Sequence, residues 1–239
     1  MKECFKKIWS NRLYRKVIIW VVALIMALTV ASVRSVNKTI DFSAHLQDTI
    51  VTVDDEDVSL QQLSYYIMLC EAKFNAVASV YSPADTLAFW NLHANYTFIR
   101  TTAKESAMNT CVRDCIYMHE AGAAGMKLDE SDEQEIDDLL QDTLDGLSYK
   151  SRTVTRLNKE SLRPILERVY LARKYANSIL ETGDFSEYSD SPAVSVDIGG
   201  EYYESIYSQH DVEINNKLWD KISLGNITIE KVKVKDEKE

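Results

Sequence analysis

Residues 60–81, LQQLSYYIMLCEAKFNAVASVY, decide the fold. Leu60, Leu63, Ile67, Cys70, Phe74, Val77 and Tyr81 follow one another at alternating steps of three and four. That period belongs to an α-helix with one continuous apolar seam, since residues three and four apart share a face. Ser82-Pro83 closes the pattern, and Thr86 to Trp90 reads as a short, very apolar helix. Upstream, Thr52 to Ser59 reads as a short strand, an acidic turn at Asp54-Asp55-Glu56-Asp57, and a second extended piece.

The same period recurs downstream. A long helix is predicted from about Tyr96 to Ala124, with Ile99, Ala103, Ala107, Cys111, Cys115 and Met118 on one face and Gly125 as its C-cap. Most of that face is small, so another helix can approach closely. Asp129 or Ser131 caps the next helix, whose buried stripe is Ile136, Leu140, Leu144 and Leu147. A further helix covers about Asn158 to Glu181 through Leu162, Ile165, Val169, Ala172, Ala176 and Ile179. Past Gly183 the texture changes. Val194–Ile198, Gly199-Gly200 and Glu201–Glu204 suggest a hairpin. Asp211 to Ser223 suggests a short helix, and Ile227-Thr228-Ile229 begins a strand that slips phase before Val232 and Val234. Ile50–Val53 is expected to pair with that C-terminal strand.

Ahead of this domain, residues 17–33 carry no charge and follow Lys2, Lys6, Lys7, Arg12, Arg15 and Lys16. As a helix the run would span about 26 Å, at the short end of a membrane crossing. The basic flank predicts a cytoplasmic N-terminus, 1–16, and an extracytoplasmic remainder. A signal segment removed by cleavage, leaving a secreted protein, is the alternative. The fold class expected is therefore mainly α: a membrane helix at 17–33, a linker at 34–49, a bundle of about five helices over 50–182, and a short α+β tail at 183–239.

Charge excludes one class of partner. Residues 1–33 hold six of the 27 basic and one of the 37 acidic residues, which leaves 21 against 36 and a net of −15 for the rest. Nucleic acid is not bound by a surface of that sign, because phosphate contacts need Lys and Arg. The nine acidic residues between Asp129 and Asp145 lack the central Gly of a calcium loop and read as a solvated helix face. Cys111, Cys115 and His119 stand at i, i+4 and i+8 of one helix. Two full turns span about 12 Å, too far for all three to reach one ion. No metal or other cofactor is expected. A Cys–His nucleophile pair there has no orienting third group. Cys70 packing against Cys111 or Cys115 leaves one disulfide open.

The order of these elements resembles a known family. The extended segment, the acidic turn, Val58-Ser59 and a long helix with Tyr65-Tyr66 resemble the start of SurA/PrsA-type extracytoplasmic foldases. The similarity continues through Phe89-Trp90 and Ala103-Lys104, and is best over Glu120–Glu133. It departs at Asp54–Asp57, where the family commonly has Asn-Gly. The resemblance implies an anchored chaperone that holds unfolded exported polypeptides and works without catalysis. The parvulin prolyl-isomerase part looks absent, because Gly183–Glu239 offers 57 residues and a single His210. Client contacts are expected from Tyr65, Tyr66, Phe89, Trp90, Tyr96 and Phe98, amphipathic or aromatic groups suited to varied partners. The other class in play is a non-catalytic structural or adaptor subunit that docks one partner in an envelope or secretion complex. The oligomeric state is not legible.

Overall fold

A computed structural model describes residues 40–230, apart from 84 and 95. The expected cytoplasmic segment 1–16, the membrane segment 17–33, the first part of the linker, 34–39, and Val232 and Val234 lie outside the described residues. Among the described residues no helix is long and apolar enough to cross a membrane.

The molecule is mainly helical with a small antiparallel sheet. A 3-10 turn at Phe42–His45 leads into β1 (Thr49–Val53), which turns back into β2 (Glu56–Ser59). Ile50, Val51 and Val53 are fully buried, so β1 is the central strand of the three-stranded order β2-β1-β5. Helix α1 (Leu60–Tyr81) follows without a break. Ser59 accepts from the Gln62 amide, and the Gln62 side chain accepts from the Ser59 amide. This reciprocal cap satisfies two amides the helix itself leaves orphaned.

Helix α2 (Thr86–Trp90) and the two-residue strands β3 (His93–Ala94) and β4 (Thr97–Phe98) lead to α3 (Ile99–Ala123). The centre of the small face of α3 is used as read: Ala103, Ala107, Cys111 and Cys115 are fully buried between α1 and α6 (Lys159–Thr182), while Ile99 and Met118 at its ends are half-buried. Gly125 ends α3 at φ 70, with Met126 N donating to Ala121 O and Gly125 N to Gly122 O. This paired closure needs a left-handed residue, which glycine adopts without a Cβ clash. Asp129 caps α4 (Glu130–Gly146), and Asn158 caps α6. Helix α4 packs on α6 through Ile136 and Leu140. A helix not anticipated, α5 (Tyr149–Thr155), lies between them. Cys70, Cys111 and Cys115 are buried free thiols.

The tail differs from expectation in three places. The segment 194–204 is not a hairpin: Pro192 opens a helical turn, α7 (Pro192–Ser195), and α8 (Glu201–Tyr207) follows the glycines. Gly200 sits so close to the Val194 and Ser195 carbonyls that a Cβ would fall 2.0 Å from the former. The glycines therefore turn a corner between two helices, locked by Tyr117, whose hydroxyl donates to Val196 O at 2.6 Å. Next, Asp211–Ser223 is extended before it is helical. Strand β5 (Val212–Ile214) precedes α9 (Asn216–Trp219), and β5 is the partner of β1, with Val51 opposite Ile214 and Val53 opposite Val212. The return pairing expected of 50–53 is thus made by 212–214.

Finally, Ile227–Ile229 forms no strand. Its backbone is satisfied by side chains instead. Glu71, buried on α1, accepts from Gly225 N at 2.6 Å, Ile227 N at 3.0 Å, and the amide and hydroxyl of Thr228, each at 2.6 Å. Opposite it, Ser151 donates to Thr228 O, and Lys150 donates to Asn226 O and Ile229 O. Side chains thus take most of the donors and acceptors that a ladder would use.

Candidate functional site

Two features stand out once the core is accounted for: a carboxylate–histidine cluster and an uncovered apolar rim.

The cluster is assembled by the sheet. Pairing of β5 with β1 brings the residues before Val212 beside the β1–β2 turn, where Asp54 N donates to Asp211 O at 2.7 Å. Asp54 occupies the left-handed region at φ 52, and its Oδ1 accepts from Asp211 N at 2.8 Å. Its other oxygen, Oδ2, faces Nδ1 of His210 at 2.7 Å and Nδ1 of His119 at 3.1 Å. The Asp54 oxygen and one nitrogen of each ring lie within 4.8 Å of one another. The far nitrogens meet further carboxylates. His210 Nε2 lies 3.2 Å from Glu120 Oε1, and His119 Nε2 lies 3.2 Å from Glu56 Oε2 without an aligned hydrogen bond.

These carboxylates are themselves held. Arg168, 3 % exposed, donates to Glu56 Oε1, and the Tyr175 hydroxyl donates to Glu120 Oε2 at 3.4 Å. The Asp54 carboxyl is pulled down to about 2, first by the hydrogen bond from His210 and then by the Asp211 amide, against desolvation, with His119 adding a lesser pull. Asp54 is therefore an anion at any ordinary pH. The cluster opens onto a shallow cleft of about 750 Å³ lined by Asp54, Asp55, Glu56, Met118, His119, Gly122 and Leu171.

The sequence reading set His119 beside Cys111 and Cys115 because they share a helix. The structure separates them: both thiols are in the core, and His119 turns to partners 65 residues upstream and across the sheet. Its hydrogen bond with Cys115, together with burial, pushes the Cys111 thiol up. The acidic turn and two of the chain's four histidines were visible in the sequence. What hid the cluster was the β1–β5 pairing, without which His210 has no address.

The six residues expected to contact clients divide. Tyr65, Tyr66, Phe89 and Trp90 are buried, Trp90 completely, and offer no surface in this state. Tyr65 and Tyr66 pack edge to face, and Trp90 lies beneath Gly225. Tyr96 and Phe98 are exposed, and Tyr96 holds a φ of 68, strained for a bulky side chain.

Around those two runs the apolar rim. Of the twelve large apolar side chains exposed among the described residues, seven fall between 69 and 98: Leu69, Val77, Val80, Tyr81, Leu92, Tyr96 and Phe98. On α1, Leu69, Val77, Val80 and Tyr81 lie within about 120° of the helix circumference. The Tyr81 ring reaches Phe89 of α2 at 6.1 Å, and Leu92 O accepts from Ile99 N at the base of the β3–β4 hairpin. Exposed apolar side chains thus stand at the end of α1, in the turn after α2 and in the hairpin. A second cleft, about 400 Å³, lies between α3, α6 and the α7 corner, with Val169, Ala172, Ala176, Leu180, Ala193 and Val196 as apolar walls and Arg113, Arg173 and Asp197 at its edges.

No protein-family profile, no characterised protein and no solved structure matches this chain, so the functional reading rests on these residues.

Proposed function

We propose that this protein is a membrane-anchored extracytoplasmic chaperone, which holds unfolded exported polypeptides through apolar and aromatic contacts and performs no catalysis. The anchor is residues 17–33, with the basic N-terminus cytoplasmic. The observation that carries the reading is the uncovered end of α1. Val80 is 81 % exposed and Tyr81 77 %, and Leu92, Tyr96 and Phe98 are exposed in the short stretch that follows. Exposed apolar side chains concentrated in this way cost solubility and are kept where something binds them. The surplus of acidic residues offsets that liability by keeping unladen copies apart. Tyr96, fully exposed, is presented at the tip of the tight hairpin, whose two-residue turn accounts for its positive φ.

The test uses the full chain in lipid nanodiscs and several unrelated secreted proteins, unfolded and reduced. Suppression of aggregation for most of them, lost in the doubly substituted Val80→Asp/Tyr81→Ser chain, is the expected result. Suppression of none would leave the adaptor class as the better description. Prolyl-peptide isomerisation on the same samples should stay at background.

A further inference from the structure

The geometry points to a divalent transition-metal site, Zn²⁺ by its donor set, formed by Asp54 Oδ2 and the Nδ1 atoms of His119 and His210. The argument is one of counting hydrogens. A neutral imidazole carries one N–H and one lone pair, while a carboxylate only accepts. Here each ring faces a carboxylate from both nitrogens: Asp54 from Nδ1, and Glu120 or Glu56 from Nε2. Without an ion, each ring needs two protons to make both contacts attractive. With an ion on the Nδ1 side, one proton per ring suffices. The Nδ1 lone pairs bind the metal, the His210 Nε2–H meets Glu120, and the His119 Nε2–H has Glu56 Oε2 3.2 Å away as the nearby acceptor it can turn to. Orientation of a ligating histidine by a carboxylate on its far nitrogen is the common outer-shell arrangement of protein zinc sites.

Charge and distance agree. Asp54, Glu56 and Glu120 bring three negative charges and Arg168 one positive, so with neutral rings a divalent ion balances the groups in contact. Tetrahedral ligands at zinc distances stand about 3.4 Å apart. The Asp54–histidine contacts of 2.7 and 3.1 Å are already near that, and the three donor atoms lie within 4.8 Å of one another. Two imidazoles and one carboxylate leave a coordination position for water, and the cleft supplies access. Calcium is disfavoured because two of the three donors are nitrogen. The ion would clip together the β1–β2 turn, α3 and the chain entering β5, the junction where the tail joins the bundle. The site is independent of the client-binding reading and can fail without it.

The test starts with full chain purified in detergent, stripped with a chelator and dialysed. Titration with ZnCl₂ should show one ion per chain and raise Tm by about 5–10 °C when free zinc is about a hundredfold over Kd. Co²⁺ should give visible d–d bands without a thiolate charge-transfer band, which separates this site from Cys70, Cys111 and Cys115. Asp54→Asn and His210→Gln, with folding checked by circular dichroism, should each weaken zinc by at least about tenfold, or 1.4 kcal/mol. No heat and no Tm shift with ZnCl₂, a thiolate band with Co²⁺, a response to CaCl₂ alone, or unchanged affinity in folded variants would each overturn the site. The first three need only the unsubstituted protein, so a variant that fails to fold leaves the test intact.

Discussion

The two halves of α1 carry the same apolar period and meet opposite fates. From Leu60 to Cys70 the seam is buried against the sheet and α3, while its last members, Val77 and Tyr81, stand exposed with Val80 and Leu69 beside them. Periodicity reports which face of a helix is apolar. It does not report whether anything covers that face. Where the fold supplies a cover, the seam is core. Where it does not, the same residues remain exposed apolar surface. The boundary is marked by Glu71, which sits on the buried face and is covered not by a helix but by the tail it binds through four donors.

Substitutions should separate the halves cleanly. The largest effect is expected at the boundary: Glu71→Ala leaves three backbone amides and the Thr228 hydroxyl buried without an acceptor, and should cost roughly 3–5 kcal/mol in urea unfolding. Close behind, Ile67→Ala in the covered half should cost about 2–5 kcal/mol and leave aggregation suppression per folded molecule unchanged. A loss of suppression there would blur the comparison.

Gly225→Ala comes next, at about 1–3 kcal/mol. Gly225 holds φ 108, and a Cβ would fall 2.8 Å from the Trp90 ring. That substitution loosens the tail from the base of the rim, so it also asks whether the rim depends on the tail. A smaller, pH-dependent effect is expected at the α4 cap. Lys174, then the Asp132 amide, hold the Asp129 carboxyl below its ordinary value. Its contribution is therefore present above the usual carboxylate range and lost as pH falls through the lowered folded value. The stability gap between wild type and Asp129→Asn should be open at pH 7 and close in strong acid. The smallest stability change belongs to the uncovered half, where Val80→Asp/Tyr81→Ser should stay within about 0.5 kcal/mol while suppression is lost.

Much of this fold was legible because its long helices are locally specified. Ser59, Asp129, Asn158 and Gly125 each terminate a helix by chemistry contained within a few residues, and the small face of α3 declared its close neighbours. The tail was not legible because its backbone is satisfied from far away, by Glu71, Ser151, Lys150 and Tyr117. Alternation at Ile227–Ile229 looks like a strand, yet a carboxylate more than 150 positions upstream takes the amides a strand would need. The histidine cluster failed to show for a related reason. Its members are separated by 65, 90 and 156 positions, and only the β1–β5 pairing brings them together. Of the expected client residues, aromatic character alone marked Tyr65, Tyr66, Phe89 and Trp90. Aromatics are as useful inside a core as on a surface, so character without cover could not sort them.

On the function proposed above, the uncovered end of α1 grips unfolded chains. The most direct measurement places a photo-crosslinking amino acid at Val80 and, in a separate chain, at Gln134, an exposed polar position on α4. Both are irradiated with an unfolded secreted client in nanodiscs. Adducts at Val80 for several unrelated clients, with little at Gln134, are the predicted result. Equal labelling at the two positions, or none at Val80, would contradict the account.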